Sequence, residues 1–304
     1  MQQVRLMLPD ASCNLHCAYC INTDCIAGGK DDIDTQKIYT LIKQANCELI
    51  SIWGGEPLCN PALELILRTL RKKYPEKQLS LLTNGTLLNQ KFIELFNKLN
   101  VMVGISHDGP VQALRCQDFL TPAYLEMLAN LKNFTGFNCV VSRQNCDIDK
   151  IVGYFKRVHE RLPGTWQLTL EMFELTQCEI LEHMPSVEQY DKLADMVCGI
   201  EAYADEVPFL EAERRRLRIA TPSGWSCGAD KRLTIDCAGN IYHCQVMAER
   251  NDKRRVEDGI PLMCAGCRHV NKCRGICPVM PGSLRKKLCL CHYIYYEKQK
   301  TRGD

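Results

Sequence analysis

The chain has 304 residues, 46% of them apolar, enough for one large domain or for one large domain with a small companion. Its 38 basic and 36 acidic residues leave a formal net charge of +2, which removes any global electrostatic argument for nucleic acid or an anionic membrane as partner. No apolar run approaches the roughly 18 residues of a spanning helix, and the start "MQQVRLMLPD" has no secretory h-region, so the expected location is the cytoplasm, with no membrane association.

Six apolar runs read as strands in chain order, over 3–8, 48–53, 78–83, 101–106, 138–142 and 166–173. Between them, apolar residues recurring at three and four predict helices over 34–45, 60–74, 89–99, 123–134 and 149–162, and a further helix over 186–206 closes the region. Strand and helix alternating about six times is the pattern of an α/β fold with a parallel layer, open or curved into a barrel. From about residue 217 the sequence turns to short apolar pieces, glycines and closely spaced cysteines. Such a composition builds no conventional core and suits a small domain held by its metal sites. The basic runs 214–218, 253–255 and 285–287 read most simply as solvated faces, with an acidic peptide as the alternative ligand.

Twenty cysteines are the strongest compositional signal. In a reducing compartment clustered cysteines bind metal or catalyse more often than they pair. Cys13, Cys17 and Cys20 fall within eight residues directly after the first strand. Three thiolates at that spacing suit an iron–sulfur cluster with one iron left open to another ligand. A structural zinc site wants four closed ligands, and Cys25 is the nearest fourth candidate. "WGGEPL" (53–58) follows the second strand: Gly54 and Gly55 let backbone approach a ligand, and Glu56 supplies an acceptor for a cationic group, with a plain turn as the alternative. "TNG" (83–85), "SHDGP" (106–110) and "VSRQN" (141–145) follow the third, fourth and fifth strands, where turn residues and a surface ion pair are the plain alternatives. The planar fork of Arg143 suits a carboxylate.

Farther on, Cys227 is separated from Gly239 by eleven residues and Gly239 from Cys244 by four. A quartet follows, Cys264-x2-Cys267-x5-Cys273-x3-Cys277, and then Cys291.

The Cys13/Cys17/Cys20 spacing, with aromatic Tyr19 before the last cysteine, resembles the signature of the radical S-adenosylmethionine (SAM) superfamily, and "GGEP" resembles that family's second motif. The C-terminal series resembles the SPASM extension of the same enzymes. The resemblance implies a partial (β/α)6 TIM-like barrel over 1–210, a small Cys-rich iron–sulfur SPASM domain over 215–295 and a tail over 296–304. By it, Cys13, Cys17 and Cys20 hold a [4Fe–4S] cluster whose open iron is chelated by SAM. Tyr19, Gly54, Gly55, Glu56, Pro57, Asn84, Ser106, Asp108, Ser142 and Arg143 would lie about the cofactor, Ser106 near the ribose and Ser142 with Arg143 near the carboxylate or ribose. Cys227, Cys244 and Cys277 would ligate one auxiliary cluster, and Cys264, Cys267, Cys273 and Cys291 a second. Thr221 stands where some relatives place a further cysteine, so the first auxiliary cluster is open, recruits Cys237 or Cys198, or is a smaller cluster; Cys289 competes with Cys291 as last ligand.

The implied reaction is reductive cleavage of SAM to a 5′-deoxyadenosyl radical that takes a hydrogen atom from substrate, with an external one-electron donor of the flavodoxin or ferredoxin type. The family resemblance favours a ribosomal peptide or protein as substrate, modified by crosslinking, epimerisation or oxidation. Oxidation or rearrangement of a small molecule is the alternative, and a non-enzymatic zinc protein the distant one. Strand one begins almost at Met1, so the leader-binding domain of many peptide-modifying relatives is not expected ahead of it. The remaining ten cysteines read as small buried residues, with hydrogen-atom donor as a minority role. His16 and the other histidines read as structural or surface residues.

Overall fold

A computed structural model of the protein describes residues 3–8, 13–20, 35–172, 181–198, 232–236, 239–242, 267, 268 and 297. The protein divides into two compact units: Met1–Ser106 with Arg115–Gly136 and Gly228–Arg255, and His107–Leu114 with Phe137–Cys227 and Val256–Asp304. The elements are β1 (Gln3–Met7), α1 (Thr35–Gln44), β2 (Leu49–Trp53), α2 (Leu63–Lys73), β3 (Gln78–Thr83), α3 (Gln90–Leu99), β4 (Val101–Ser106), α4 (Pro122–Leu128), β5 (Phe134–Val141), α5 (Ile148–Arg161), β6 (Gln167–Met172), α6 (Val187–Cys198), β7 (Arg232–Ile235) and β8 (Ile241–Tyr242). This is the expected parallel α/β arrangement of the partial-barrel kind.

In the first unit the strand order is β4-β3-β2-β1-β7-β8, with every pair parallel except the β7–β8 hairpin. Successive side chains of a strand point to opposite faces, and the register here sorts them cleanly. Val4, Ile50, Leu79 and Val101 form one row, and Leu6, Ile52, Leu81 and Val103 the next, none of them more than 2% exposed. The apolar stripes of α1 (Ile38, Ile42), α2 (Leu63, Ile66, Leu67, Leu70) and α3 (Ile93, Phe96, Leu99) are buried as well, and α3 packs on β4. The alternate row, Thr234, Arg5, Ser51, Ser80 and Met102, crosses the opposite face. There Ser51 Oγ accepts from Gln3 Nε2 at 2.6 Å and shares a 2.6 Å hydrogen bond with Ser80, while the Arg5 guanidinium lies 4.2 Å from the centre of the Trp53 ring.

In the second unit β5 and β6 are neighbours in the sheet. His107, Phe137, Phe155 and Trp166 form an aromatic core, with His107 stacked on Tyr154 at 5.5 Å and edge-on to Phe137. Gly109 (φ +57°) sits where a Cβ would come within 3.1 Å of the Phe155 ring.

Some boundaries differ from expectation. The helix expected over 123–134 stops at Leu128, because Asn97 at the end of α3 accepts from Lys132 N and donates to Asn130 O, while Asn133 donates to Asn100. These tertiary bonds take up the backbone that would have continued the helix. Residues 129–133 form turns instead, and β5 starts at Phe134 rather than 138. The helix expected over 186–206 is described as Val187–Cys198, and its remainder lies outside the described residues.

Candidate active site

The Cys13–Cys20 segment follows β1, and Cys20 N donates to Cys17 O at 3.0 Å, closing a turn that buries Cys17 and leaves Cys13 and Cys20 half-buried. Two hydrogen bonds of Asn14 tie the segment to the end of β3. Asn14 Oδ1 accepts from Asn84 Nδ2 at 2.9 Å, and Asn14 Nδ2 donates to Thr86 Oγ1 at 2.8 Å. Tyr19, 4% exposed, accepts from Arg115 Nη1 at 3.2 Å.

The GGEP turn leaves β2 in a conformation only glycine accommodates readily. Gly54 has φ +144°, and a Cβ there would stand 2.7 Å from the carbonyl oxygen of Leu8. Glu56 follows, 3% exposed. Its Oε1 accepts from Thr83 Oγ1 at 2.6 Å and Leu58 N at 3.0 Å, and its Oε2 from Asn84 N at 2.6 Å. The carboxyl thus caps the short 3-10 turn Pro57–Cys59 and fastens it to the end of β3. Burial pushes its pKa up, opposed by these three hydrogen bonds and by the Arg115 charge. Asn84 completes the junction by accepting from Thr86 N and Thr86 Oγ1 through its Oδ1, and the Cys59 thiol reaches Asn14 Oδ1 at 3.7 Å.

The first unit therefore brings Tyr19, Glu56, Pro57 and Asn84 together with the cysteine segment. Ser106 closes β4 and is buried, but no side-chain hydrogen bond among the described residues joins it to that network. In the second unit Asp108 is 1% exposed. Its Oδ1 accepts from Val140 N at 3.0 Å, and Asn145 Nδ2 donates to both Asp108 O and Val140 O. Ser142 is fully buried, and its Oγ has no hydrogen-bond partner among the described residues. Arg143 is exposed, with Nε donating to Met184 O at 3.0 Å. Sequence reasoning singles out neither Asn14 nor Arg115. The place of Asn14 between motif cysteines is a signal that could have found it, whereas nothing local marks Arg115.

Of the auxiliary-cluster cysteines, Cys267 alone is described; Cys227, Cys244, Cys264, Cys273, Cys277 and Cys291 lie outside the described residues, as do Cys237 and Cys289. Among the described residues no three His, Cys, Asp or Glu side chains gather as one metal ion would require. A [4Fe–4S] cube does not ask for that, because each thiolate binds a different iron. In the first unit, three closely spaced thiols and a glycine cradle against Leu8 O fit a cluster with a polar organic ligand beside it; the orphaned buried hydroxyl of Ser142 belongs to the second unit.

A parallel α/β fold with a three-cysteine segment after its first strand and a GGEP turn after its second defines a class of iron–sulfur enzyme. Comparison with known proteins agrees: residues 9–139 match the radical SAM superfamily. An uncharacterized protein of Methanocaldococcus jannaschii, MJ0907, is 30% identical over 270 residues, covering 81% of this chain and 87% of that one. The cysteine-type anaerobic sulfatase-maturating enzyme of Clostridium perfringens is 29% identical over 184 residues, 51% of this chain and 49% of the enzyme. The solved structure of native anSMEcpe with bound AdoMet and Cp18Cys peptide has a TM-score of 0.68 at 19% identity, covering 99% of this chain and 97% of that one. The protein belongs to the radical SAM superfamily and is an enzyme. No helix among the described residues is long and apolar enough to cross a membrane.

Proposed function

We propose that the enzyme abstracts a hydrogen atom from a peptide or protein substrate and so crosslinks, epimerises or oxidises it. One observation carries this reading: the likeness to a peptide-bound solved structure runs over 99% of the chain rather than over the family core alone. Cys13, Cys17 and Cys20 would hold the [4Fe–4S] cluster, and Gly54, Gly55, Glu56, Pro57, Asn84, Tyr19, Ser106, Asp108, Ser142 and Arg143 would surround SAM. The chemistry that cluster and SAM would supply when bound is a 5′-deoxyadenosyl radical, formed with one electron from a flavodoxin- or ferredoxin-type donor. The protein's own task is binding, orientation and exclusion of water. Asn14 and Glu56 hold the cysteine segment, the GGEP turn and the end of β3 in fixed relation, and Ser142 offers a buried hydroxyl to a polar ligand.

The Cys227–Cys291 region would add a SPASM domain over 215–295 with one or two auxiliary clusters, from Cys227, Cys244 and Cys277 and from Cys264, Cys267, Cys273 and Cys291. Fully loaded protein would then carry about eight to twelve irons, at four per cluster. The enzyme would act in the cytoplasm.

The test is isotope transfer. Reconstituted enzyme is given SAM, dithionite and a panel of perdeuterated peptides, in parallel with deuterated alcohols and sugars, and 5′-deoxyadenosine is analysed by mass. Deuterium arriving from at least one peptide, with a matching mass change in that peptide, is expected. Deuterium arriving only from small molecules would replace the peptide reading with small-molecule chemistry.

A further inference from the structure

Arg115 belongs to none of the motifs that mark the cofactor site, yet the structure sets it against two of them. Its Nη1 donates to the hydroxyl of Tyr19, which stands between Cys17 and Cys20. Its charge also acts on the Glu56 carboxyl. No hydrogen bond or ion pair joins Arg115 to that carboxyl, whose oxygens accept from Thr83, Leu58 and Asn84. Arg115 is half-buried, and its Nε is fully shielded from solvent with no hydrogen-bond partner among the described residues. A guanidinium carries five N–H donors in a planar fork, and the bond to Tyr19 engages a single one of them with a neutral oxygen. A half-buried cation whose hydrogen-bond acceptor is a neutral hydroxyl costs free energy, so such a group is retained where an anion compensates its charge from the open side of the fork.

We propose that Arg115 binds a carboxylate of the substrate: an Asp or Glu side chain, or the terminal carboxylate of a peptide, next to the residue that loses its hydrogen atom. Two parallel N–H···O bonds from the terminal nitrogens, on the side of the fork that is not sealed, match a carboxylate in geometry and charge. The bond to Tyr19 holds the fork in place before the substrate arrives, which lowers the ordering cost of binding. The anion is assigned to the substrate rather than to SAM on the proposed placement of Ser142 and Arg143, which would lie near the SAM carboxylate or ribose. This assignment rests on the peptide reading above and specifies its substrate class.

The experiment uses the full-length reconstituted enzyme and matched peptides that carry Asp or Asn, and Glu or Gln, beside each candidate reacting residue. Deuterium transfer to 5′-deoxyadenosine is measured for wild type, Arg115→Gln and Arg115→Lys. The expected result is that wild type prefers the acidic member of a pair by roughly ten- to hundredfold in kcat/KM, the range of a charged hydrogen bond, mostly through KM. Arg115→Gln erases the preference and Arg115→Lys keeps part of it. Iron content and cluster absorbance check that each variant is loaded. Peptides processed with equal efficiency whether acidic or neutral would overturn the carboxylate assignment and leave the peptide reading standing. If no peptide is processed at all, the peptide reading itself fails, and the assignment with it. SAM and decarboxylated SAM are compared as ligands in parallel. Should Arg115→Gln abolish discrimination between those two, the carboxylate belongs to the cofactor and the substrate assignment is wrong.

Discussion

The two faces of the sheet in the first unit are built on different terms. On one, Val4, Leu6, Ile50, Ile52, Leu79, Leu81, Val101 and Val103 sit in register at 2% exposure or less, with no polar side-chain atom to satisfy. On the other, the same strands present Thr234, Arg5, Ser51, Ser80 and Met102. A sheet built only for stability would place branched apolar residues on both faces, as buried parallel strands commonly do. The polar row costs hydrophobic stabilisation that the first face supplies. The sheet therefore separates duties, with stability stored on the helix-covered face and chemistry left to the other face and the strand ends.

The widest expected gap between the two duties comes from the cysteine segment. Replacing Cys13, Cys17 and Cys20 together by Ala is expected to remove about four irons per molecule, one cluster's worth, and to bring SAM- and dithionite-dependent 5′-deoxyadenosine below detection. Far-UV circular dichroism should change little, because the segment lies outside the apolar rows. A variant that still formed 5′-deoxyadenosine would detach these cysteines from the chemistry.

The opposite pattern is expected on the apolar face. Ile52 is fully buried between Leu6 and Leu81 in register. Ile52→Ala should cost about 2–5 kcal/mol in denaturant unfolding, the range for deleting a large aliphatic group from a packed core. At a permissive temperature the folded fraction should still load its cluster, so activity per folded molecule changes less than stability.

Glu56 joins the two duties, since it is both a strand-end cap and a motif residue. Burial raises its folded pKa above the reference value of 4.5. As pH climbs from 4.5 toward the folded value, the unfolded state gives up the proton while the folded state keeps it, so stability falls with rising pH. Glu56→Gln removes that slope. It also turns an amide donor toward Asn84 N or toward Thr83 and Leu58, at a cost of about 1–3 kcal/mol. Wild type should therefore exceed Glu56→Gln most near pH 4.5, and the margin should shrink by pH 7. Parallel stability curves for the two proteins would show that the carboxyl is not desolvated in solution.

How far these features can be read from sequence depends on whether their cause is local. The six barrel-type strands, the Cys13–Cys20 segment and the GGEP motif are local patterns of period or spacing, and each appears where its pattern places it apart from the earlier start of β5. The early end of α4 depends on Asn97, about 30 residues away, and no propensity in 123–134 announces it. Glu56 looks like a ligand group in sequence, but its partners Thr83 and Asn84 come from the next strand and give it a structural task as well. Arg115 meets Tyr19 across 96 positions, a contact only the fold can make. β7 lies alongside β1 in parallel register, although it comes from the Cys-rich part of the sequence rather than the helix–strand repeats. Edge pairing of this kind leaves no mark in a four-residue run.

The smallest expected effect tests the polar row itself. Ser51 is 2% exposed and links Gln3 to Ser80 through two 2.6 Å hydrogen bonds. Ser51→Ala deletes both, but Gln3 and Ser80 are half-buried and regain water partners. The loss should be about 1 kcal/mol, clearly less than for its neighbour Ile52. Paired unfolding curves of Ser51→Ala and Ile52→Ala read the separation of duties directly, since the two residues are adjacent and point to opposite faces. If Ser51→Ala matched Ile52→Ala, the hydroxyl row would be part of the stabilising frame, and the open face could not be spared for substrate. A loss near 1 kcal/mol, with altered substrate KM, would instead mark the row as surface that the fold can yield to a ligand.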